Sequence, residues 1–396
     1  MIEILKRRCE RVLTEDDLVR KLEAAAKEGR KLRIKLGLDP TAPDVTLGHA
    51  VPLKVVRQFQ DWGHKAVVIV GDYTARVGDP TGRNSTRPVL TGEQIDANAE
   101  TYAKQIGKIV RTDDDALEVR YNGEWLASLN LVDIIRLAGR KTLAQVMERD
   151  DFRTRYEAKD EIHLHELLYP LLQGYDSVAI DADVEMGGAD QLLNNLVGRE
   201  FQQAEGTSPP NGQVVIVTPL LVGTDGKIKM SKSKGNYIAL TDPPGGDGGM
   251  FGKIMSLPDD VMPMYYRLVT DVPTEEYEAL IAKSPRDAKV NLAKLIITEY
   301  HDAEAADAAE RQFMTATHGG IPDDIDEKQV GPGPHGVVSL LVEVGFCTSN
   351  GEAMRLIKQG GVKLDGEKVD APKAEVTVDS PTVLQAGKRK FVRLLP

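Results

Sequence analysis

Cysteine is almost missing from this 396-residue chain: Cys9 and Cys347 are its only two, far apart and outside any CxxC spacing. That excludes a disulfide framework and a cysteine-built zinc site. Aromatic residues are sparse at 5%, and no apolar run approaches the ~20 residues needed to cross a bilayer. The opening residues, Met1-Ile2-Glu3-Ile4-Leu5-Lys6-Arg7-Arg8, run into charge where a secretory leader carries an apolar core, so a cytoplasmic protein without a membrane partner is expected. An excess of positive charge is missing as well. A formal net charge of −11 argues against a protein that coats nucleic acid along its whole surface.

What is present is an ordinary globular balance, 41% hydrophobic and 28% charged, at a length that implies two or three domains. The charge is unevenly spread. From Gly331 onward nine Lys and Arg face seven acids, leaving +2 there against −13 elsewhere, which permits nucleic-acid contact at the carboxyl end.

Periodicity divides the chain. Leu13, Leu18 and Leu22 among polar residues predict an amphipathic helix before Gly29. Arg33 to Leu38 reads as a strand, Leu47 to about Asp61 as a helix, and Ala66 to Val70 as a buried parallel strand, followed by a loop from Gly71 to Pro88. Val178-Ala179-Ile180 and Val214 to Val217 predict later strands, with a helix from about Gln191 to Gln203 between them. The fold class expected is α/β, a Rossmann-type doubly wound parallel sheet whose ligand crevice lies beyond the carboxyl ends of its strands. Gly187, Gly188, Asp190 and the segment around Lys229 should line that crevice. The catalytic domain is expected over 1–222, with an insertion at about 125–165. A helical domain follows over 223–320, interrupted by Pro243-Pro244-Gly245-Gly246. A Gly/Pro/acidic linker spans 321–336, and a small α+β domain 337–396.

Two short motifs carry chemistry. Gly37-Leu38-Asp39-Pro40-Thr41, together with Thr46-Leu47-Gly48-His49, sets glycines and polar groups where a helix begins, so that a phosphate can approach the backbone and an imidazole. A tight strand-to-helix connection capped by Thr46 accounts for the same residues without a ligand. Lys229-Met230-Ser231-Lys232-Ser233 follows the turn Gly223-Thr224-Asp225-Gly226 and precedes Gly235, a loop able to bring Lys229 and Lys232 onto a departing pyrophosphate. Farther on, Tyr169, Gln173 and Asp176 recur at i, i+4 and i+7, one face of a helix. His163 and His165, at i and i+2, would point apart on a helix, and no metal site is expected.

These motifs, with Gly78-Asp79-Pro80-Thr81-Gly82, Tyr169 to Asp176 and Gly187-Gly188-Ala189-Asp190-Gln191, resemble the bacterial tyrosyl-tRNA synthetases of aminoacyl-tRNA synthetase class I. The resemblance runs from about Arg33 to the carboxyl end. It implies that Tyr169, Gln173 and Asp79 hold the tyrosine ammonium, that Asp176 accepts the phenol, and that Gln191 lies beside the carboxyl group, with Asp39 and Thr74 on the same side. It implies ATP contacts from Gly37, Thr41, Thr46, Gly48, His49, Gly187, Asp190, Lys229, Met230 and Lys232, with Thr41, His49, Lys229, Lys232, Arg83 and Arg87 acting in catalysis. Two positions depart from the pattern: Thr46 stands where the family often has histidine, and Lys35 where some members have a tyrosine that reads the phenol. The segment Ser349 to Ile357 with Gly361 to Gly366 is similar to a small RNA-binding domain shared with a ribosomal protein, which implies RNA contacts from Arg355, Lys358 and Lys363.

The function so implied is activation of L-tyrosine with ATP and magnesium to tyrosyl-adenylate, then transfer to the 3′-terminal adenosine of tRNA(Tyr). A homodimer built around Asn130 to His165 is implied as well. A tryptophanyl enzyme, a small nucleotidyltransferase and an RNA-binding protein on the same fold are the competing readings.

Overall fold

The computed structural model describes residues 2–79, 91–206, 211–317, 325–387 and 390–396. The chain forms two compact units, Met1–Thr241 with Leu257–Ala288, and Asp242–Ser256 with Lys289–Pro396. Arg83 and Arg87 lie outside the described residues.

The apolar runs of the first unit become strands β1 (Arg11–Leu13), β2 (Arg33–Leu38), β3 (Lys65–Val70), β4 (Leu117–Tyr121), β5 (Val184–Gly188) and β6 (Val214–Thr218), in one sheet of order β1-β6-β5-β2-β3-β4. Every neighbouring pair is parallel except β1 with β6. All of β6, and β3 after Lys65, are buried, as expected for strands covered on both faces. The chain leaves β2 for β3 and β4, then returns to the other side of β2 for β5 and β6. The order therefore reverses between β2 and β5, where carboxyl ends part and a crevice opens. The helix Leu47–Asp61 covers one face with Leu47, Ala50, Val51, Leu53, Val55, Val56 and Phe59.

Four local expectations change. Leu13 belongs to β1, because Thr14 caps the following helix by accepting from Asp17 N–H, and that helix runs Glu15–Glu28 to a left-handed Gly29. The apolar run at 178–180 ends a helix, Tyr169–Ala179, instead of forming a strand. Three apolar residues cannot distinguish a helical from an extended period, and Ile180 reaches the core against Val67 and Ile69 from the helix terminus. The strand comes only after Asp181, with its φ of 49°, has turned the chain. A helical turn, Thr74–Val77, interrupts the loop expected from Gly71. His163 and His165 lie on a turn, not a helix, and their rings stack at 5.7 Å.

The first unit runs past the boundary expected after residue 222. Leu47 N–H bonds Ile238 O at 2.9 Å and Met230 N–H bonds Leu221 O at 2.7 Å, joining the lysine loop and its exit to the sheet. Near the start of the chain, Arg8 donates to the carbonyls of Leu268 (2.9 Å) and Thr270 (2.6 Å), and Arg7 to those of Arg267 (3.1 Å) and Val272 (2.5 Å). Two guanidinium groups thus close the open end of the helix Met262–Val269.

In the second unit, the helix Met250–Met255 packs on Ala303–Thr317, with the rings of Phe251 and Phe313 5.2 Å apart. The expected linker contains structure. Strands β7 (Asp326–Gln329) and β8 (Pro334–Gly336) fall inside it, because β7 pairs in parallel with β13 (Lys390–Leu395) and β8 pairs with β11 (Glu375–Thr377). Strands β9 (Val362–Leu364), β10 (Glu367–Lys368) and β12 (Thr382–Ala386) complete a sheet of order β10-β9-β12-β13-β7. Val337, Leu341, Ile357, Leu384 and Leu394 form its core, beneath the helices Val337–Glu343 and Asn350–Lys358.

Candidate active site

A cavity of about 570 Å³ opens at the carboxyl ends of β2, β5 and β6, at the reversal of strand order. From β2 and the turn beyond come Gly37, Asp39 and Thr41, and from the start of the next helix Thr46, Gly48 and His49. A Cβ on Gly37 would project into open space, so its absence keeps the backbone accessible to a ligand. Thr74 and Asp79 enter from the segment after β3. Tyr169, Gln173 and Asp176 arrive together on one helix, and Gly187, Gly188, Asp190 and Gln191 leave β5 into the next. Lys229, Met230 and Lys232 form the remaining wall. Within the described residues the cavity thus assembles every expected tyrosine and ATP residue.

The part around Asp176 is a chain of neutral donors and carboxylates. Trp125 Nε1 donates to Asp176 Oδ1 at 2.8 Å, and Asn122 Nδ2 to its Oδ2 at 3.3 Å. Asn122 also donates to Thr74 Oγ1 (3.0 Å), which donates to Asp39 Oδ1 (2.8 Å), and the Tyr169 hydroxyl donates to Asp39 Oδ2 (2.9 Å). A Cβ at Gly71 would collide with both Asp39 and Thr74, so this contact requires glycine there. Burial pushes the Asp176 carboxyl up to about 7, against the opposing pull of Lys35, Trp125 and Asn122.

Around Asp79 the donors are amides. Gln191 Nε2 reaches Asp79 Oδ2 at 3.0 Å, and Asn194 Nδ2 bridges Gln173 Oε1 and Gln191 Oε1, each at 2.9 Å. Arg149, 4% exposed, donates to Asn194 Oδ1 at 2.7 Å and lies 3.9 Å from Asp79 Oδ1. Arg149 and Asn194 are supports that motif reading missed. A buried Arg ahead of Asp150-Asp151 looks in sequence like any helix-start charge cluster.

His49 Nδ1 accepts Thr46 N–H at 3.2 Å and lies 2.8 Å from Thr46 Oγ1. Thr46 thus orients the imidazole. Burial, then the positive charge of Lys232, lowers the His49 pKa to about 3, so the ring is neutral and its proton resides on Nε2 as a donor. Lys229 Nζ donates to Asp190 Oδ2 at 2.6 Å. Lys232 Nζ donates to Tyr102 OH at 2.8 Å and lies 5.1 Å from the centre of that ring. The loop is pinned where Ser231 N–H meets Asn236 Oδ1 (2.8 Å) and Asn236 meets Asp225 (2.6 Å). Chemically, the cavity offers a neutral donor and two ammonium groups to phosphate oxygens, and carboxylates to an amine and a hydroxyl.

Arg355 and Lys358 are exposed on the helix Asn350–Lys358, and Lys363 is half-buried on β9. Among the described residues no group of three or more His, Cys, Asp or Glu is placed to hold a metal, and no helix is long and apolar enough to cross a membrane.

The chain is similar to known proteins over nearly its whole length. The pattern of class I tRNA synthetases (W and Y) matches residues 27–317, and that of the S4 domain residues 337–380. Tyrosine–tRNA ligase 2 of Vibrio vulnificus is 50% identical over 396 residues, covering 98% of this chain and 97% of that one. The tyrosine–tRNA ligase of Moorella thermoacetica is 48% identical, covering 99% and 95%. Among solved structures, the tyrosyl-tRNA synthetase of Archaeoglobus fulgidus complexed with L-tyrosine aligns with a TM-score of 0.62 at 26% identity, over 76% of this chain and 96% of that one. With its cavity at the strand-order reversal and a carboxyl-terminal S4 domain, the chain belongs to the class I tRNA synthetases of the tryptophan and tyrosine family, among the bacterial tyrosyl-tRNA synthetases.

Proposed function

We infer that the cavity performs both steps of tyrosine–tRNA ligation. The chain is a tyrosine–tRNA ligase, resembling ligases of that name along its full length at about half identity. The observation that carries the residue assignments is the helix Tyr169–Ala179, which presents Tyr169, Gln173 and Asp176 to the same cavity as His49 and Lys229.

The tyrosine ammonium is held by Asp79, Tyr169 and Gln173, the phenol donates to Asp176, and Gln191 lies by the carboxylate. That carboxylate attacks the α-phosphate of ATP, a P–O bond forms, and the bond to pyrophosphate breaks. His49 Nε2–H, Lys229 and Lys232 stabilise the developing charge, and Asp190 meets the ribose. Magnesium travels with ATP as part of the nucleotide substrate. In the second step the terminal ribose hydroxyl of tRNA(Tyr) attacks the acyl carbon, AMP leaves with its bonding electrons, and the hydroxyl proton passes to the departing phosphate. Arg355, Lys358 and Lys363 of the S4 domain hold tRNA phosphates, and the helical segment before it faces the anticodon arm. The protein acts in the cytoplasm.

The enzyme works as a homodimer. Leu131 (73% exposed), Ile135 (61%), Leu143 (65%), Tyr156 (71%) and Leu164 (82%) give the segment 131–164 an apolar surface that a second copy would cover. ATP–pyrophosphate exchange that depends on tyrosine, and not on tryptophan, tests the activity. Asp176→Ala should collapse the ratio of tyrosine to phenylalanine activation. Equal losses for both amino acids would assign Asp176 to the fold alone.

A further inference from the structure

Lys35 lies in the middle of β2, fully buried, between Ile34 and Leu36. An ammonium in such a place must be compensated. Glu185 stands opposite it in register on β5, with its Oε1 2.9 Å from Lys35 Nζ. Lys35 Nζ also donates to Ser177 Oγ at 2.6 Å and to the Gln173 carbonyl at 3.0 Å. Glu185 is held in turn by Ser177 Oγ (3.0 Å) and by the Gln213 amide. The three protons of the ammonium are therefore committed within the protein. Lys35 is not a substitute reader of the substrate.

Its contacts instead bracket Asp176, three residues after Gln173 and one before Ser177 on the same helix. We propose that Lys35 is a positioning residue that sets recognition of the phenol through Asp176, with Glu185 holding it in place. This rests on the assignment of Asp176 to the phenol.

Asp176 is 3% exposed, and the groups that donate to it, Trp125 and Asn122, are neutral. Of the charged groups that act on it, Lys35 on β2 favours the ionised form and Glu185 on β5 opposes it. The other ionisable groups nearby are engaged elsewhere: Tyr169 donates to Asp39, and Asp79 accepts from the Gln191 amide. An ionised carboxylate only accepts, so it requires a hydroxyl from its ligand, and phenylalanine supplies none. A protonated acid does not impose that requirement. Lys35 thus governs selectivity without touching tyrosine.

The test measures kcat/KM for tyrosine and phenylalanine activation from pH 5.5 to 9 in the full-length enzyme, since this profile reports the free enzyme. In Lys35→Met the acid limb for tyrosine should move up by about one pH unit or more, the reverse of the usual effect of a nearby opposite charge. The tyrosine to phenylalanine ratio should fall about fivefold or more at pH 7 and largely recover by pH 9. Glu185→Gln should move the limb down. If Lys35→Met does not fold, the double replacement Lys35→Met/Glu185→Gln removes both charges while keeping the acceptor for Gln213, and its limb should still move up, by less. An unmoved limb in a folded Lys35→Met or double variant, with both amino acids losing activity equally, overturns the proposal. Asp176→Asn separates the two readings. If it keeps both limb and ratio, the Asp176 assignment falls. If it loses both while Lys35→Met leaves the limb in place, only the role of Lys35 falls.

Discussion

Replacing Lys232 by alanine should slow tyrosyl-adenylate formation by about 10²–10³ while leaving tyrosine affinity within about twofold. The magnitude follows from its place in the cavity wall, where Tyr102 holds the ammonium at 2.8 Å. A unit charge about 4 Å from a phosphate oxygen is worth about 4 kcal/mol at the effective dielectric of a protein surface, an upper bound of roughly 10³ in rate. Tyrosine affinity is spared because Asp79, Gln173 and Asp176 are held by Gln191, Asn194, Asn122 and Trp125, not by the loop. Lys234, two residues on, is exposed and does not line the cavity, so Lys234→Ala is the matched control, expected within about threefold of the parent. The assay is single-turnover release of pyrophosphate, with tyrosine binding followed separately by equilibrium titration. Equal effects of the two alanine substitutions would refute the reasoning, since only a general loop charge would then matter.

Ile135→Asp should convert the proposed dimer to a monomer by light scattering, and an unchanged mass would remove the segment 131–164 from the interface. A chain ending at Thr317 should retain tyrosine-dependent exchange and lose tRNA charging, with the salt slope of tRNA binding shallower by about 0.7 to 0.9 per phosphate contact removed; unchanged charging excludes the S4 domain as the tRNA grip. The cut belongs there and not at Gln329, which would leave β7 without its partner β13. His49 should make the protein less stable as pH falls from about 6.5 toward 3, because the unfolded chain takes up a proton there that the folded imidazole refuses until about 3. Melting temperatures of the parent and His49→Gln should diverge over that window in favour of the variant, and parallel curves would refute the neutral imidazole.

The residues that line the cavity were legible because each lies in a short local pattern: a glycine-flanked helix start, a lysine loop, and three positions on one helical face. The groups that hold them were not. Asn122 and Trp125 reach Asp176 from more than fifty positions away, and Tyr102 reaches Lys232 from 130, so only the folded sheet brings them together. Lys35 read as a departure from a pattern, since its meaning lies in Glu185 on a strand that periodicity had placed at 178–180. The fold class was legible from alternating runs. The boundaries failed where pairing partners are remote, as for β7 and β8, whose sequence has the composition of a linker.

Arg7 and Arg8 also bear on the order in which the protein is made. Their acceptors, carbonyls and the Asp271 carboxylate, lie at 266–272, some 260 residues later, and β1 waits for Val215–Val217. Synthesis delivers the amino terminus first, so both arginines emerge from the ribosome long before anything they bind exists. Contacts of such span also carry the loop-closure cost that slows folding. The unit containing the cavity can thus close only after the helix Met262–Val269 has been translated, and the first dozen residues of the chain are among the last to find their places.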